Sequence, residues 1–204
     1  MSPFRWAAFA ALAWALSLDA LAHAAQPSFA HGLDAYDRGQ YAEALRAFEP
    51  LARSGDARAQ YRLGLMYAMG LGTARNYELG ISWLGKSAAK GNASAQNDLG
   101  TLYDEGRGIP RDSERAARLF HDAAIRGHAA AQLNLAQLYD EGRGVDRDRL
   151  RAFAWANCAS ELGELHAQRV IDSIAKDLGP GDIAAAERLA EQYRKKYVAP
   201  FQQY

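Results

Sequence analysis

Two strings place a serine one helical turn ahead of a lysine, Ser87-Ala88-Ala89-Lys90 and Ser173-Ile174-Ala175-Lys176. A lysine so placed can take the serine proton and start acyl-serine chemistry, so a hydrolase of β-lactam or cell-wall substrates is one reading of the chain. That chemistry also needs Ser-Asp-Asn and Lys-Thr-Gly companions, which the sequence lacks. The histidines His31, His121, His128 and His166, with His23 near the N-terminus, show neither a His-Glu-x-x-His string nor paired metal-ligand spacing. Cys158 is the single cysteine, which rules out an intramolecular disulfide and any multi-cysteine metal site. Inside a helix such a residue reads as a small buried hydrophobe. These residues assemble no catalytic set and call for no metal or cofactor, and the expectation is a protein that is not an enzyme.

Charge gives no global partner either. Lys plus Arg and Asp plus Glu are both 24, so no net field draws in a nucleic acid or an anionic membrane. The run from Arg143 to Arg151 is basic in excess, but its interleaved aspartates argue against a nucleic acid patch. At the N-terminus, Arg5 precedes an almost wholly apolar stretch from Trp6 to Leu18. Small-x-small sites follow at Ala20-Leu21-Ala22 and Ala22-His23-Ala24. Residues 1–24 are expected to be a signal peptide cleaved near His23 or Ala25, with an uncleaved anchor or a buried first helix as the other reading. The stretch is short for a membrane span, so no stable insertion is expected after cleavage. The corresponding location is periplasmic or secreted.

What must position any site is a repeat. Ala95-Gln96-Asn97-Asp98-Leu99-Gly100-Thr101-Leu102-Tyr103-Asp104-Glu105-Gly106-Arg107-Gly108 recurs thirty-six residues later, from Ala131 to Gly144, and a looser copy runs from Ala59 to Gly72. Three units of 36 residues therefore occupy 56–163, closed by Gly91, Gly127 and Gly163. In each unit an A helix ends at a Gly-x-Gly reversal and a B helix follows. Along the B helices Gly80, Ala116 and Ala152 are small, and Trp83, Leu119 and Trp155 are large, the pattern of a filled gap between layers. Residues 25–55 form a shorter N-terminal hairpin and 164–197 a polar capping helix pair. The tail 198–204 either docks back or frays.

The pattern Ala-Gln-x-x-Leu-Gly-x-x-Tyr-x-x-Gly-x-Gly, followed by small-x-x-Trp and a small pair before glycine, resembles the Sel-one-like repeat (SLR) family, relatives of tetratricopeptide repeats. The resemblance implies an all-α fold, a right-handed α-solenoid of about ten helices stacked as antiparallel pairs. Ala136 and Ala156 depart from the pattern, standing where the second unit has Gly100 and Phe120, and are expected to loosen or re-space the third layer without altering the fold. The resemblance also implies that the A helices line a concave groove for a protein or peptide partner. Positions not needed for packing are then the candidates for contact. They are Arg58, Tyr61, Arg62, Leu65 and Met69 in the first unit, Asn97, Asp98, Thr101 and Asp104 in the second, and Asn134 and Gln137 in the third. The groove so drawn grades from basic and apolar to acidic. Tyr61, Leu65 and Met69 lie at i, i+4 and i+8, a stripe that seats a partner's apolar side chain or packs on the first hairpin. Asp104-Glu105 and Asp140-Glu141 form an acidic ridge for a basic partner or pair with Arg107 and Arg143. Some members of the family act in envelope signalling or exopolysaccharide export, and a structural spacer without a ligand is a further reading. Oligomeric state is not legible.

Overall fold

The computed structural model describes residues 28–202; the expected signal peptide lies outside them. Among the described residues the chain forms ten α-helices and one short 3-10 turn. The first hairpin is α1 (Phe29–Asp37) and α2 (Tyr41–Arg53). The three repeats follow as α3 (Ala57–Met69) and α4 (Tyr77–Ala89), α5 (Ala93–Glu105) and α6 (Ser113–Ala124), α7 (Ala129–Glu141) and α8 (Arg149–Glu161). After them come α9 (Ala167–Lys176), α10 (Pro180–Tyr197) and the turn Ala199–Phe201. Each helix of the repeats packs on the one before and the one after it, giving an α-solenoid of helix pairs.

Local chemistry sets the boundaries. Asp56, Asn92 and His128 accept backbone N–H bonds at the starts of the A helices, and Asn76, Asp112 and Asp148 do so at the starts of the B helices. Each such cap satisfies a donor that the helix leaves orphaned and is worth about 1 kcal/mol. In the Gly-x-Gly turns both glycines take positive φ, and the second also lies against the start of the preceding B helix. A Cβ at Gly144 would stand 2.2 Å from the Ser113 carbonyl carbon, so this position is closed to side chains by contact as well as by φ.

The stacking rests on matched sizes and a repeated amide. A Cβ at Gly32, Gly64 or Gly100 would meet Phe48, Leu84 or Phe120 at 2.5, 2.8 and 2.8 Å. In the third repeat the same two positions are Ala136 and Ala156, both 0 % exposed. The methyl gained at 136 and the ring lost at 156 offset each other, so the third layer stays closed instead of loosening. The buried Gln60, Gln96 and Gln132 each donate from Nε2 to the carbonyl of Ala52, Ala88 or Ala124 at 3.0–3.2 Å, tying every A helix to the end of the preceding B helix.

The C-terminal end differs from the expected helix pair. Both α9 and α10 pack on α8, and no comparable packing joins α9 to α10. Trp155 of α8 is 2 % exposed because Tyr193 and Tyr197 of α10 stand 4.8 and 5.0 Å from it, centroid to centroid. The tail docks: Val198 is buried, and the Phe201 ring sits where a Cβ at Gly127 would be 2.5 Å away. The equivalent Trp83 has no such cover. It is half-buried with the Lys86 ammonium 3.9 Å from its ring centroid, and is not the core residue its column predicts.

Candidate functional site

A cleft of about 510 Å³ opens between α3 and α5, within the roughly 300–1,000 Å³ range of ligand-sized sites. Tyr61, Leu65 and Met69 form its α3 wall, and Asp98, Thr101 and Leu102 its α5 wall. Helical spacing brings the first three to one face, and there they turn toward the second repeat. Tyr61 and Leu65 pack with the main core rather than with the cluster under the first hairpin. Met69 is 60 % exposed, a flexible apolar side chain held in water at the mouth.

A chain of polar bonds crosses the A helices beside the cleft. The Tyr61 hydroxyl donates to Asp98 Oδ2 at 2.9 Å, Asn97 Nδ2 donates to Asp98 Oδ1 at 3.1 Å, and Asn134 Nδ2 donates to Asn97 Oδ1 at 3.0 Å. Burial and the Asp98 charge push the Tyr61 phenol well above its usual range, so it stays a donor. Thr101 is turned back onto the Asn97 carbonyl at 3.1 Å. Asn97 is 8 % exposed, so it serves the scaffold and presents little to a partner. Asn134 and Gln137 lie on α7, outside the cleft.

The expected acidic half is neutralised from within. Asp104 takes Arg143 of the next repeat at 2.5 Å and Ser113 Oγ at 3.0 Å, so it braces a turn and does not line the cleft. Glu105 pairs with Arg107 at 2.6 Å, Glu141 with Arg143, and Asp140 with Arg149 at 3.3 Å. At the basic end Arg58 is bound to its own helix cap, Asp56, at 3.0 Å and lies over Phe29. Arg62 stacks over Tyr36 and Tyr61 at 5.4 and 5.9 Å, with no carboxylate within ion-pair distance among the described residues.

Residues off the A helices complete the site, and the A-helix criterion missed them. Arg75, stacked on Tyr77 at 5.3 Å, and Arg107 stand at the rim. The signal for Arg107 is in the register: Ala68 occupies the position of Asp104 and Asp140, so Arg107 has no carboxylate to reach across the repeat as Arg143 has.

Of the nucleophile candidates, Ser87 and Cys158 are buried, while Ser173 is exposed on α9. Ser87 is 0 % exposed and donates to the Ala57 carbonyl at 2.6 Å, while Lys90 donates to the Gly55 carbonyl. The Ser-x-x-Lys string at 87–90 thus joins α4 to the start of α3. Cys158 is buried, and burial pushes its thiol up to about 12, far from a reactive thiolate. Among the described residues no cluster of metal-ligating side chains occurs and no helix is long and apolar enough to cross a membrane.

A stack of glycine-punctuated helix pairs displaying an open cleft along its A helices defines a repeat α-solenoid, an architecture whose stacked units present extended surfaces. The chain belongs to the Sel1 repeat family, whose model matches residues 57–92, 93–128 and 129–164, more than half of its length. Its solved structural neighbours include a Sel1 repeat protein from Oxalobacter formigenes, with 30% identity and a TM-score of 0.68 over 71% of this chain and 59% of that one. Another is a protective antigen present in uropathogenic Escherichia coli strains and displaying an SLR fold, with 30% identity and a TM-score of 0.55. That match covers 78% of this chain and 42% of the antigen, so the chain spans about half the length of these two relatives. No curated protein matches it.

Proposed function

We propose that the chain is an exported scaffold, periplasmic or secreted, that holds a partner protein by seating one of its segments in the α3–α5 cleft, in envelope signalling or assembly. The observation that carries this reading is the exposed Met69 at the mouth of a preformed cleft whose walls are fixed by the Tyr61–Asp98–Asn97–Asn134 bonds. A rigid wall loses little conformational entropy on binding, so apolar contact there is not spent on ordering the receptor. Export rests on the apolar stretch from Trp6 to Leu18 and the small-residue sites after it.

A photo-crosslinking residue placed at position 69 is expected to trap one discrete partner in the envelope fraction, and Leu65→Ser is expected to abolish the adduct while thermal unfolding stays cooperative. An equivalent probe at Arg188 on α10 is the control. Adducts of equal yield from both positions would remove the cleft from the function. N-terminal sequencing of the fractionated protein is expected to begin near His23 or Ala25, and an intact Met1 in the cytoplasm would refute export.

A further inference from the structure

The cleft's charge specifies its occupant. Both Asp98 oxygens are already accepting bonds from Tyr61 and Asn97, and Glu105 is held by Arg107. Glu105 is thus compensated by a cation, while Asp98, bonded only to neutral donors, keeps its charge. The guanidiniums of Arg62 and Arg75 rest on aromatic rings and pair with no carboxylate among the described residues. Each guanidinium lies within cation–π range of its ring, and no carboxylate among the described residues takes its N–H groups. Arg62 adjoins Tyr61 just outside the cleft lining, between that ring and Tyr36, and Arg75 lines the cleft past Met69. Eight helical residues separate Tyr61 from Met69, a span of about 12 Å.

Resting on the groove reading above, we infer that the segment bound there is acidic and aliphatic: two or three large apolar side chains bracketed by Asp or Glu. The apolar side chains lie on Leu65 and Met69, and the flanking carboxylates take the N–H groups of Arg62 and Arg75. Arg–carboxylate pairs of this kind are bidentate and directional, which fixes the segment's register on the stripe. A basic segment is disfavoured because it meets two unpaired cations, Arg62 and Arg75, against the single uncompensated charge of Asp98.

Panning a random-sequence displayed peptide library on the full chain, with counter-selection on a Leu65→Ser, Met69→Ser chain, tests this. The enriched peptides are expected to carry acidic residues on both sides of an aliphatic pair. The affinity of a synthetic copy, read by fluorescence anisotropy, is expected to fall roughly tenfold for Arg62→Gln and for Arg75→Gln. It is also expected to weaken with added salt on the unaltered chain, a readout independent of any variant's folding. Peptides that depend on Leu65 and Met69 but are neutral or basic, and whose affinity neither arginine nor salt changes, would overturn the charge inference and leave the groove function standing. Enrichment of no peptide that depends on Leu65 and Met69 would sink both.

Discussion

Gly100→Ala adds one methyl group, and its effect should change sign with the residue at position 120. In the native chain the new Cβ stands 2.8 and 2.9 Å from two carbons of the Phe120 ring, which is 2 % exposed and cannot swing into solvent. Overpacking of this kind costs about 1–3 kcal/mol. Replacing a helical glycine with alanine returns about 1 kcal/mol, so the net expectation is a loss of up to about 2 kcal/mol. Phe120→Ala alone should cost roughly 3–5 kcal/mol through the cavity it leaves. In that background Gly100→Ala recreates the Ala136/Ala156 pair of the third repeat and has no ring to strike, so it should stabilise by up to about 1 kcal/mol. The four chains form a double-mutant cycle with a coupling of about 1–3 kcal/mol. Urea unfolding followed by far-ultraviolet circular dichroism measures it, with midpoints compared at unchanged m-values because repeat arrays can lose two-state behaviour. Additivity to within about 0.5 kcal/mol would refute size matching as the reason repeat three departs from the other two.

Protonation of His128 should unfasten α7. Its Nδ1 accepts the Ala131 N–H at 3.2 Å, which only the neutral ring can do, and burial holds its pKa below the ordinary 6.5 against the opposing pull of Asp98 and Glu164. Because the folded pKa is the lower one, the stabilisation is complete above 6.5 and is lost as pH falls through the folded value. The loss is bounded by the cap, about 1 kcal/mol or roughly 2–4 °C in melting temperature, and His128→Asn should flatten the profile between about pH 8 and 5. An unchanged slope in that variant would assign the effect elsewhere. Trp155→Ala should cost roughly 3–5 kcal/mol and raise hydrogen exchange across α10, whereas Trp83→Ala should cost about half as much. Equal costs would show that α10 does not set the difference.

Local signals made the fold legible. The thirty-six-residue register, the cap residues and the glycines announce themselves because each answers to a backbone need within a few residues of itself. Much of the site depends on contacts between repeats. Tyr61 reaches Asp98 across 37 residues, and Arg143 reaches Asp104 across 39. A reading of the A helices one at a time counts Asp98 and Asp104 as open acids, whereas across the repeats Asp98 accepts from Tyr61 and Asp104 is paired with Arg143. Trp83 and Trp155 share a column and look alike in sequence; only the placement of α10 over α8 separates them. Arg75 and Tyr77 lie in the A-to-B connection and at the start of a B helix, where a rule that admits only A-helix positions does not look.

Broken symmetry accounts for one open groove rather than two equal ones. Between the second and third repeats, Asn97 bonds Asn134 directly and Arg143 clamps Asp104, so the face is stitched across. Between the first and second, the residue that would receive Arg107 is Ala68, and the position of Asn97 is held by Tyr61, whose longer side chain makes the equivalent contact, to Asp98. An alanine thus removes one polar contact and a tyrosine lengthens the other, beside a gap lined by Leu65 and Leu102 and rimmed by arginine. The framework residues cannot vary without cost, because each fills a turn, a cap or a close contact. Specificity is left to positions such as Ala68 and Tyr61, where a change opens the surface while the stacking residues beneath stay as they are.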